Sequence, residues 1–555
     1  MARKKNGASY QAATGSPNQQ ILPIALHSDE HLSISTLETW LWDAACAIRG
    51  ATDAPKYKDF ILPLIFYKRL SDVFDDECRQ YYEDYGDEET AREIIAEDHL
   101  QALSEGRQPI VRFFIPSEYH WSRLRNHSKD GLGEFVTNAM TTVARLNPSL
   151  KGVIDVRDYN ERQSGQRTLD DDPLYKLIEI ISRHRLGLHN AEPDILGRAY
   201  EYLLRKFAEG QGQSAGEFYT PKEVAELIAE LLNPRSRTRI YDPACGSGGL
   251  LIKARHLFEQ RHPEDRTRAP QLYGQEWNPT TYAMAKMNMF LHDYIGATIA
   301  VGDTMRTPVF ASKGTGLHTF DYVVANPMWN QDGFDDTFYD KDTWKRFRNG
   351  TPPTSSADWG WVQLIHASLN DGGRAAIVLD TGAVSRGSGS QNSNRERDIR
   401  KNFVEKDLIE CVVLLPENLF YNTSAPGVVL LLNKAKPSER KNEILLINTS
   451  QYFVKRKPKN ELTGKGIVAA AEVYHSWEAR EKLSRVITLK KAGETDYNLS
   501  PSQFIEVNDA VTHRSIKEIM SDLIVARTER EKANKDLDNI LSKVGLLKGI
   551  TYDNN

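Results

Sequence analysis

The sequence predicts an α/β fold with a ligand site along the carboxyl edge of parallel strands. The apolar run Arg239–Asp242 ends at an acid and is followed by a glycine-rich turn and an amphipathic helix. Two further strand-like runs end near Glu276 and Asp303, and a fourth, 320–325, leads into an Asn-Pro dipeptide. Because open α/β sheets bind ligands at the carboxyl ends of their strands, these ends indicate where a site would form.

Length and composition bound the class of protein. The chain has 555 residues, 40% of them hydrophobic and 26% charged, and about three or four globular domains are expected at this length. The net charge of −5 does not indicate nucleic-acid binding, which would require local patches or a partner. Four scattered cysteines without a Cys/His cluster indicate reduced thiols and no metal site. The chain has neither an apolar leader nor a membrane-length apolar run, which predicts a cytoplasmic protein.

The first 170 residues divide into a tail and a helical domain. Residues 1–32 are basic and then rich in Gly, Ser, Gln and Asn, which predicts a mobile tail. Residues 33–170 show helical spacing and begin at a capping box formed by Ser35 and Glu38. The acidic segment 71–99 is typical of a solvated face, although it can also meet a basic partner. An all-α domain without catalytic residues is expected.

A second domain, 171–450, contains the strands and the candidate site. Near its start, Thr220, Pro221 and Glu223 have the spacing of an N-cap, an N1 proline and an N3 glutamate. The amino end of this predicted helix can face a ligand carboxylate, or it can be only a well-capped helix.

The glycine-rich turn after Asp242 has the composition of a nucleotide-binding loop. Its glycines let a ligand approach the backbone, and the next helix supplies free N–H groups. The G-x-G-x-x-G fingerprint fits poorly because the glycines lie too close together, and no P-loop sequence occurs. An ordinary β–α turn would explain the glycines alone. The candidate contacts here are Asp242, Ala244, Gly246, Ser247 and Gly248.

Glu276 ends the second predicted strand. In other nucleotide-binding folds a carboxylate at this place accepts hydrogen bonds from ribose hydroxyls, and Trp277 can cover an adenine ring. A surface glutamate is the alternative, but the strand spacing favours the ribose contact. Asp303 ends the third strand, where a turn before a helix explains it nearly as well as a ligand contact.

The fourth strand leads into the tetrapeptide Asn326-Pro327-Met328-Trp329. An Asn-Pro at a strand end is often only a turn. Here the Asn side-chain oxygen and the Pro carbonyl can both accept hydrogen bonds from an exocyclic amine on a base, which localises the nitrogen lone pair. The aromatic ring can stack on the extruded base. The amine can then attack a methyl donor directly, with neither a cysteine nucleophile nor a metal.

The remaining strands and loops follow the same pattern. Strands are predicted at 372–379, 407–415 and 426–432, with 444–447 as an edge strand. The segment 332–359 is either a lid over the base or a surface insertion. The basic residues Arg395, Arg397, Arg400 and Lys401 suit either phosphate or partner contact, or a solvated helix face.

The C-terminal region, 451–555, is predicted to be largely helical. From Ile516 onward the apolar residues alternate at steps of three and four, which is the seam of a coiled coil, interrupted by Arg530. A helix of this kind docks on another helix, in this chain or in a partner.

Three stretches resemble motifs of the DNA amino-methyltransferases, which bind S-adenosylmethionine. Asp-Pro-x-x-Gly-x-Gly-Gly at 242–249 resembles motif I, and the tetrapeptide resembles motif IV of N6-adenine methyltransferases, usually Asn-Pro-Pro-(Phe/Tyr/Trp). The stretch 216–223 resembles motif X and precedes motif I, as in the γ order. Met328 departs from the usual proline, which loosens the loop but keeps the Asn326 oxygen, the Pro327 carbonyl and the Trp329 ring.

From about residue 35 to about residue 545, the chain resembles the modification (methyltransferase) subunit of type I restriction-modification systems, with 58–71 carrying the likeness in the helical domain. The resemblance implies a Rossmann-like α/β core with a mixed seven-stranded sheet, an all-α N-terminal domain and a C-terminal coiled-coil helix. It implies S-adenosyl-L-methionine as cofactor, with Asp303 at its adenine amino group. The residues implied to lie near the methionine part are Glu217, Phe218, Tyr219 and Thr220, with Asn326 also a cofactor contact.

The implied reaction is methyl transfer to the N6 amine of a flipped adenine in DNA, with Asn326, Pro327 and Trp329 as catalytic residues. No target-recognition domain is found after the core strands, so a separate specificity subunit is expected to read the DNA. The family assembles two modification subunits on one specificity subunit, and a restriction subunit can join. A cytoplasmic, nucleoid-associated protein is implied.

Two alternatives stay open at this point. An enzyme of the same fold can act on cytosine N4 or on a protein glutamine amide, because the Asn-Pro-x-aromatic turn also serves glutamine methyltransferases. A non-catalytic assembly subunit would retain the cofactor site only for folding, and Met328 is the one feature that favours it.

Overall fold

The computed structural model describes most of the chain between residues 32 and 543. Of the tail predicted at 1–32, only Leu32 is described, and it is buried. The described residues are 32–51, 56–107, 109–163, 165–191, 199, 202–203, 220–292, 294, 296–312, 316–420, 423–457, 459–507 and 516–543.

The helices described in the N-terminal region share one apolar core. α1 begins at Ile34 because the Ser33 hydroxyl accepts a hydrogen bond from the Thr36 amide at 3.2 Å and caps the helix. The capping box predicted at Ser35 and Glu38 is therefore wrong. The helices are α1 (Ile34–Ala47), α2 (Tyr57–Tyr85), α3 (Glu88–Glu105), α4 (Trp121–Arg125), α5 (Leu132–Leu146) and α6 (Asp171–Ile181).

The acidic segment 71–99 is not simply a solvated face. Asp72 and Asp76 on α2 are buried and form ion pairs with Lys68 and Arg185 respectively. Asp72 also accepts a hydrogen bond from the Leu186 amide at 2.7 Å. The prediction is wrong for these two carboxylates, because they join α2 to the chain that follows α6.

The sequence predicted an all-α N-terminal domain, but this region also contains a short hairpin. Its strands are β1 (Arg162–Gln163) and β2 (Gln166–Arg167), which pair antiparallel. Gly165 in the turn has a φ of 85°, which a tight hairpin turn accepts at little cost only from glycine. The hairpin lies between α5 and α6.

The main sheet is mixed, as predicted, with five parallel and three antiparallel neighbouring pairs among its described strands. The described strands after the hairpin are β3 (Arg239–Asp242), β4 (Gln271–Glu276), β5 (Thr298–Val301), β6 (Ala311–Ser312), β7 (Gly316–Leu317), β8 (Phe320–Ala325), β9 (Leu369–Asp380), β10 (Ile409–Leu414), β11 (Gly427–Asn433), β12 (Glu443–Asn448), β13 (Phe453–Val454), β14 (Glu461–Leu462) and β15 (Ser484–Thr488). The order in the sheet is β15-β12-β10-β11-β9-β8-β3-β4-β5. The pairs β6–β7 and β13–β14 form separate hairpins.

The prediction of seven strands is wrong, because nine strands pair in this sheet among the described residues. β12, predicted as an edge strand, lies inside the sheet because β15 pairs with it antiparallel, with Glu443 opposite Thr488. β15 lacks a clear apolar pattern, since within it only Ser484 and Ile487 are buried. The sheet thus continues past residue 450, where the sequence placed the end of the strand-bearing domain.

Helices cover both faces of the sheet and form two separate apolar clusters. Alternate residues of β9 point to opposite faces, so Val378 joins one cluster while Ile377 and Leu379 join the other. The helices of this region are α7 (Lys222–Leu232), α8 (Gly249–Arg261), α9 (Pro279–Leu291), α10 (Asp336–Asp340), α11 (Asp358–Ala367), α12 (Arg395–Glu405), α13 (Gly464–Ser476), α14 (Leu489–Glu494) and α15 (Pro501–Phe504).

The helix α9 joins the helical region to the sheet. Met287 and Phe290 pack in the N-terminal core, and the Phe290 ring centroid lies 5.2 Å from that of Phe113. Ala285 and Met289 of the same helix pack in the cluster under the sheet. Since α9 directly follows β4, the helical region is attached beside the predicted site.

The segment 332–359 is packed on the core through Arg346, which is buried. Its guanidinium pairs with Asp342 at 2.8 Å and donates to the carbonyl of Met305 at 2.7 Å. Trp359, at the end of the segment, is fully buried. The segment therefore contributes to the core. Neither interpretation from the sequence, a lid or a surface insertion, had included this role.

The basic stretch around α12 is also partly internal. Arg400 is buried and donates hydrogen bonds to the carbonyls of Tyr497 at 2.6 Å and Ala383 at 3.1 Å. Arg395 and Arg397 are engaged in ion pairs. Arg400 therefore belongs neither to a phosphate-binding patch nor to a solvated helix face.

The C-terminal helix, α16 (Ile516–Lys543), exposes apolar side chains. Those with between 48 and 61% of their surface exposed are Met520, Leu523, Ile524, Val525 and Leu537. Among the described helices, none combines the length and the apolar character that a membrane crossing needs.

Candidate active site

A cavity of about 250 Å³ opens at the carboxyl ends of β3, β4, β5 and β8. These four strands are parallel neighbours, so their ends meet along one edge of the sheet. Each contributes a predicted site residue: Asp242, Glu276, Asp303 and Asn326 all line the cavity. The other lining residues are Thr220, Pro243, Ala244, Cys245, Gly246, Ser247, Gly249, Leu250, Trp277, Thr281, Thr304, Arg306, Met328, Gln331, Asp332, Gly333, Phe334 and Trp361.

The glycine-rich loop forms one wall of the cavity. Gly246 and Gly248 have φ values of 53° and 84°, a region in which other residues are strained. A β-carbon at Gly248 would also lie 2.6 Å from Cε of Met289. The side-chain amide of Asn288 donates to the Ser247 carbonyl at 2.9 Å and so fixes the loop to α9. Of the predicted loop contacts, Gly248 is the one that does not line the cavity.

Asp242 is buried at the end of β3 and accepts a hydrogen bond from the Ala244 amide at 3.0 Å. Burial raises the pKa of the Asp242 carboxyl to about 8; the Ala244 hydrogen bond opposes this, and the nearby Glu276 charge adds to it. A buried carboxyl beside a second carboxylate is electrostatically unfavourable when ionised, so the pair favours a cationic ligand.

Glu276 lies across the loop from Asp242. Its two oxygens accept hydrogen bonds from the backbone amides of Gly246 at 3.0 Å and Asn278 at 2.9 Å. These contacts fix the carboxylate, which has further lone pairs available for a ligand. The next residue, Trp277, has 63% of its surface exposed while lining the cavity, so its ring is accessible to a ligand.

Asp303 lines the cavity and also shapes the turn after β5. Its carboxylate accepts a hydrogen bond from the Arg306 amide at 3.1 Å, and the Arg306 side chain approaches it at 3.5 Å. The neighbouring Thr304 hydroxyl donates to the Pro243 carbonyl at 2.6 Å, which joins this turn to the glycine loop. The position of Asp303 is therefore compatible with both roles considered for it, a ligand contact and a turn residue.

Asn326 follows β8 and has 6% of its surface exposed. Its Oδ1 accepts a hydrogen bond from Nε1 of Trp329 at 3.1 Å. Its Nδ2 is buried and has no hydrogen-bond partner among the described residues. A buried donor without an acceptor is costly, so a ligand that supplies one would be stabilised at this point of the cavity.

The rest of the tetrapeptide is arranged differently from the expectation. Met328 lines the cavity, whereas Pro327 and Trp329 are absent from the lining that the described residues form. The Trp329 ring packs edge-on against Phe420, with centroids 4.7 Å apart. Stacking of Trp329 on a base therefore stays a prediction.

The helix before the glycine loop starts later than predicted. α7 begins at Lys222 with Pro221 as its N-cap residue, and no side chain caps it. The predicted N-cap role of Thr220 is wrong, because the proline carbonyl, not the Thr220 side chain, accepts the first helical hydrogen bonds, from Val224 and Ala225. Thr220 nevertheless lines the cavity. The predicted contacts Glu217, Phe218 and Tyr219 lie outside the described residues.

Sequence reasoning missed several lining residues. Thr304 and Arg306 directly follow Asp303, and their place after a predicted strand end was a usable signal. Phe334 and Trp361 had no such signal, because they reach the cavity only through the packing of the segment after the tetrapeptide.

The chain matches two described protein families. Residues 191–512 match the N-6 DNA methylase family, and residues 37–181 match the HsdM N-terminal domain. The chain belongs to the N-6 DNA methylases. The first match spans the sheet and the whole cavity, and the second spans the helical region.

Similar N-6 DNA methylases are methylase subunits of type I restriction enzymes. The MjaVIII subunit of Methanocaldococcus jannaschii is 35% identical over 550 residues, covering 96% of this chain and 86% of the relative. The HindI subunit of Haemophilus influenzae is 32% identical and covers 68% of this chain and 83% of the relative. The predicted resemblance is confirmed.

A solved structure has the same fold. The type I restriction-modification system methyltransferase subunit from Streptococcus thermophilus superposes with a TM-score of 0.68 at 27% identity. The match covers 85% of this chain and all of that chain. The nine-stranded sheet and the helical region together are therefore the architecture of such a subunit.

Proposed function

We propose that this chain transfers a methyl group from S-adenosyl-L-methionine to the N6 amine of a flipped adenine in DNA, as the modification subunit of a type I restriction-modification complex. One observation carries the proposal: Asn326 opens into the same cavity as Asp242 and Glu276. A group that can activate an amine thus lies beside two carboxylates suited to a cofactor.

The cavity fits the chemistry of S-adenosylmethionine, which supplies an activated methyl group when bound. Asp242 suits a cationic part of the cofactor, and Glu276 suits the ribose hydroxyls. Trp277 offers an exposed aromatic face for the adenine ring, and Asp303 an acceptor for its amino group. The buried Nδ2 of Asn326 still needs an acceptor, which a bound ligand would provide.

Asn326 and Pro327 activate the target amine in this proposal. The Asn326 oxygen and the Pro327 carbonyl accept hydrogen bonds from the exocyclic amine, which draws its nitrogen toward tetrahedral geometry. Holding the amine in line with the methyl group can lower the activation free energy by ~7–11 kcal/mol. Extruding the adenine from the helix costs a few kcal/mol, part of which stacking and edge contacts return.

The partners follow from what the chain must contact. DNA is the substrate, and a separate specificity subunit reads its sequence while two copies of this chain flank it. The exposed apolar side chains of α16 support a helical partner contact there, as a coiled coil. A restriction subunit can join the same complex. We place the protein in the cytoplasm, associated with the nucleoid.

Nucleoside mass spectrometry of genomic DNA tests the proposed reaction. A host without its own adenine methylases would express the chain with its specificity subunit, the chain alone, or Asn326→Ala with the specificity subunit. We expect N6-methyladenine only in the first sample.

Other outcomes have distinct meanings. N4-methylcytosine in the first sample would replace the target base but keep the fold. Methylation by the chain alone would contradict the dependence on a specificity subunit. The absence of any methylated base, with cofactor binding intact, would favour a protein glutamine substrate or an assembly role.

A further inference from the structure

The orientation of the Asn326 amide is set by its neighbour. Nε1 of Trp329 lies 3.1 Å from Oδ1 of Asn326. An indole nitrogen can only donate a hydrogen bond, so it selects the oxygen of the amide rather than the nitrogen. The amide nitrogen is left as the buried donor without a partner. The oxygen keeps a second lone pair for another donor.

Trp329 is itself held on several sides. Its Nε1 also lies 3.2 Å from the carbonyl of Val378, a fully buried residue of β9. Its ring meets Phe420 edge-on at 4.7 Å between centroids. Gly427 leaves room for the ring, because a β-carbon there would lie 3.0 Å from Cη2 of Trp329. The indole is therefore a fixed donor rather than a mobile ring.

The chain on the far side of Trp329 is anchored as well. Asn330 has a φ of 51°, and its amide donates to the Asp358 carboxylate at 2.8 Å. Its side chain donates to Asp380 at 3.3 Å. Arg386 pairs with both carboxylates. Met328 has no proline ring to restrain the loop, so these contacts set its conformation.

We propose that Trp329 acts in catalysis through Asn326, as a positioning residue whose indole N–H holds the amide oxygen in place. The proposal rests on the proposed function, in which that oxygen accepts a hydrogen bond from the target amine. Without the indole donor, the Asn326 amide can rotate and present its nitrogen to the amine, which cannot accept. A ring that served only as a stacking platform would need no N–H.

Trp329→Phe separates the two roles, because it keeps an aromatic ring and removes the donor. The complex with the specificity subunit would be assayed for kcat, KM for DNA and the Kd for the cofactor. Base extrusion would be read from the fluorescence of 2-aminopurine placed at the target adenine, located first by sequencing the methylated sites of the unaltered enzyme. Trp477→Phe is the matched control, since it also removes an indole donor, which bonds to the Glu443 carboxylate at 2.9 Å, at a residue outside the cavity lining that the described residues form.

We expect Trp329→Phe to lower kcat ~10-fold, with the cofactor Kd and the 2-aminopurine signal unchanged, as the loss of one positioning hydrogen bond would produce. Trp477→Phe should stay within ~2-fold of the unaltered kcat. An unchanged kcat in Trp329→Phe would overturn the inference, and so would a loss of kcat accompanied by a weaker 2-aminopurine signal, which would assign the ring to stacking. An unaltered complex that methylates no DNA would instead overturn the proposed function, and the inference with it.

Discussion

The two halves of the cavity are held in place by different kinds of contact. In the glycine-loop half, the backbone amides of the loop residues Ala244 and Gly246 donate to Asp242 and Glu276, which end two neighbouring parallel strands. In the tetrapeptide half, Asn326 is held by a side chain that depends on residues far along the chain. The glycine-loop half is therefore determined locally, and the tetrapeptide half by tertiary packing.

The largest expected effect comes from the ion-pair network behind the tetrapeptide. Arg386→Gln would leave Asp358, which is fully buried, without its cation. Removing one partner of a buried pair typically costs ~3–5 kcal/mol in the free energy of unfolding. Urea unfolding would measure it.

The control for this network is Arg395→Gln. Arg395 also pairs with an aspartate, but both side chains of that pair are about half exposed. Exposed pairs typically contribute ~0–1 kcal/mol. Equal destabilisation by the two variants would contradict the distinction between a supporting network and a surface pair.

The next effect is expected in the glycine loop. Gly248→Ala combines a left-handed φ with a β-carbon close to Met289, and strain of this kind costs ~1–3 kcal/mol. Cofactor affinity measured by calorimetry should fall with stability. Gly464→Ala is the control, because that glycine has no positive φ and no atom near its β-position. An unaffected cofactor affinity in Gly248→Ala would show that the loop conformation is not what binds the ligand.

An effect of similar size is expected from Gly427→Ala in the tetrapeptide half. The new β-carbon would lie 2.7 Å from Phe420 and 3.0 Å from Trp329, an overpacking that typically costs ~1–3 kcal/mol. Displacing Trp329 should lower methylation while the cofactor Kd is kept. Should the Kd change as much as the rate, the two halves would not be independent.

A pH effect is expected in the glycine-loop half alone. The raised pKa of Asp242, about 8, means that the folded chain keeps a proton that the unfolded chain loses near the ordinary carboxyl value. Stability should therefore fall as the pH rises from about 4 through 8 and level off above it. Thermal unfolding across this range would measure the fall, and Asp242→Asn should flatten it. A profile identical in the two proteins would remove Asp242 as its source.

The part of the site that could be predicted follows the same division. The ends of β3, β4 and β8 were predictable because a short apolar run and the residue after it are contiguous in the chain. The position of Asn326 directly after β8 was enough to predict that it lies at the carboxyl edge of the sheet. The ring of Trp329 was expected to face a base, and no local pattern indicates that it donates to Asn326 instead.

The fold was predictable to a similar depth. The strands β8, β10 and β11 contain buried apolar runs and were predicted, whereas β15 is short and partly exposed and was not. The buried Asp72 and Arg400 resemble surface residues in the sequence, because backbone groups that hydrogen-bond to them, the Leu186 amide and the Tyr497 carbonyl, come from distant segments. Such contacts depend on the completed fold and leave no periodic signal.

The pairing of β15 with β12 also sets where this protein can be divided. A chain ending at residue 450 would leave the outer edge of β12 unpaired. Its open N–H and C=O groups could then recruit strands from other molecules and promote aggregation. A graft that exchanges α16, the helix proposed to contact a partner, would therefore have to join after residue 507, so that β15 stays with its sheet. Recombination between relatives is under the same constraint: α16 can be exchanged separately only if the junction lies after β15.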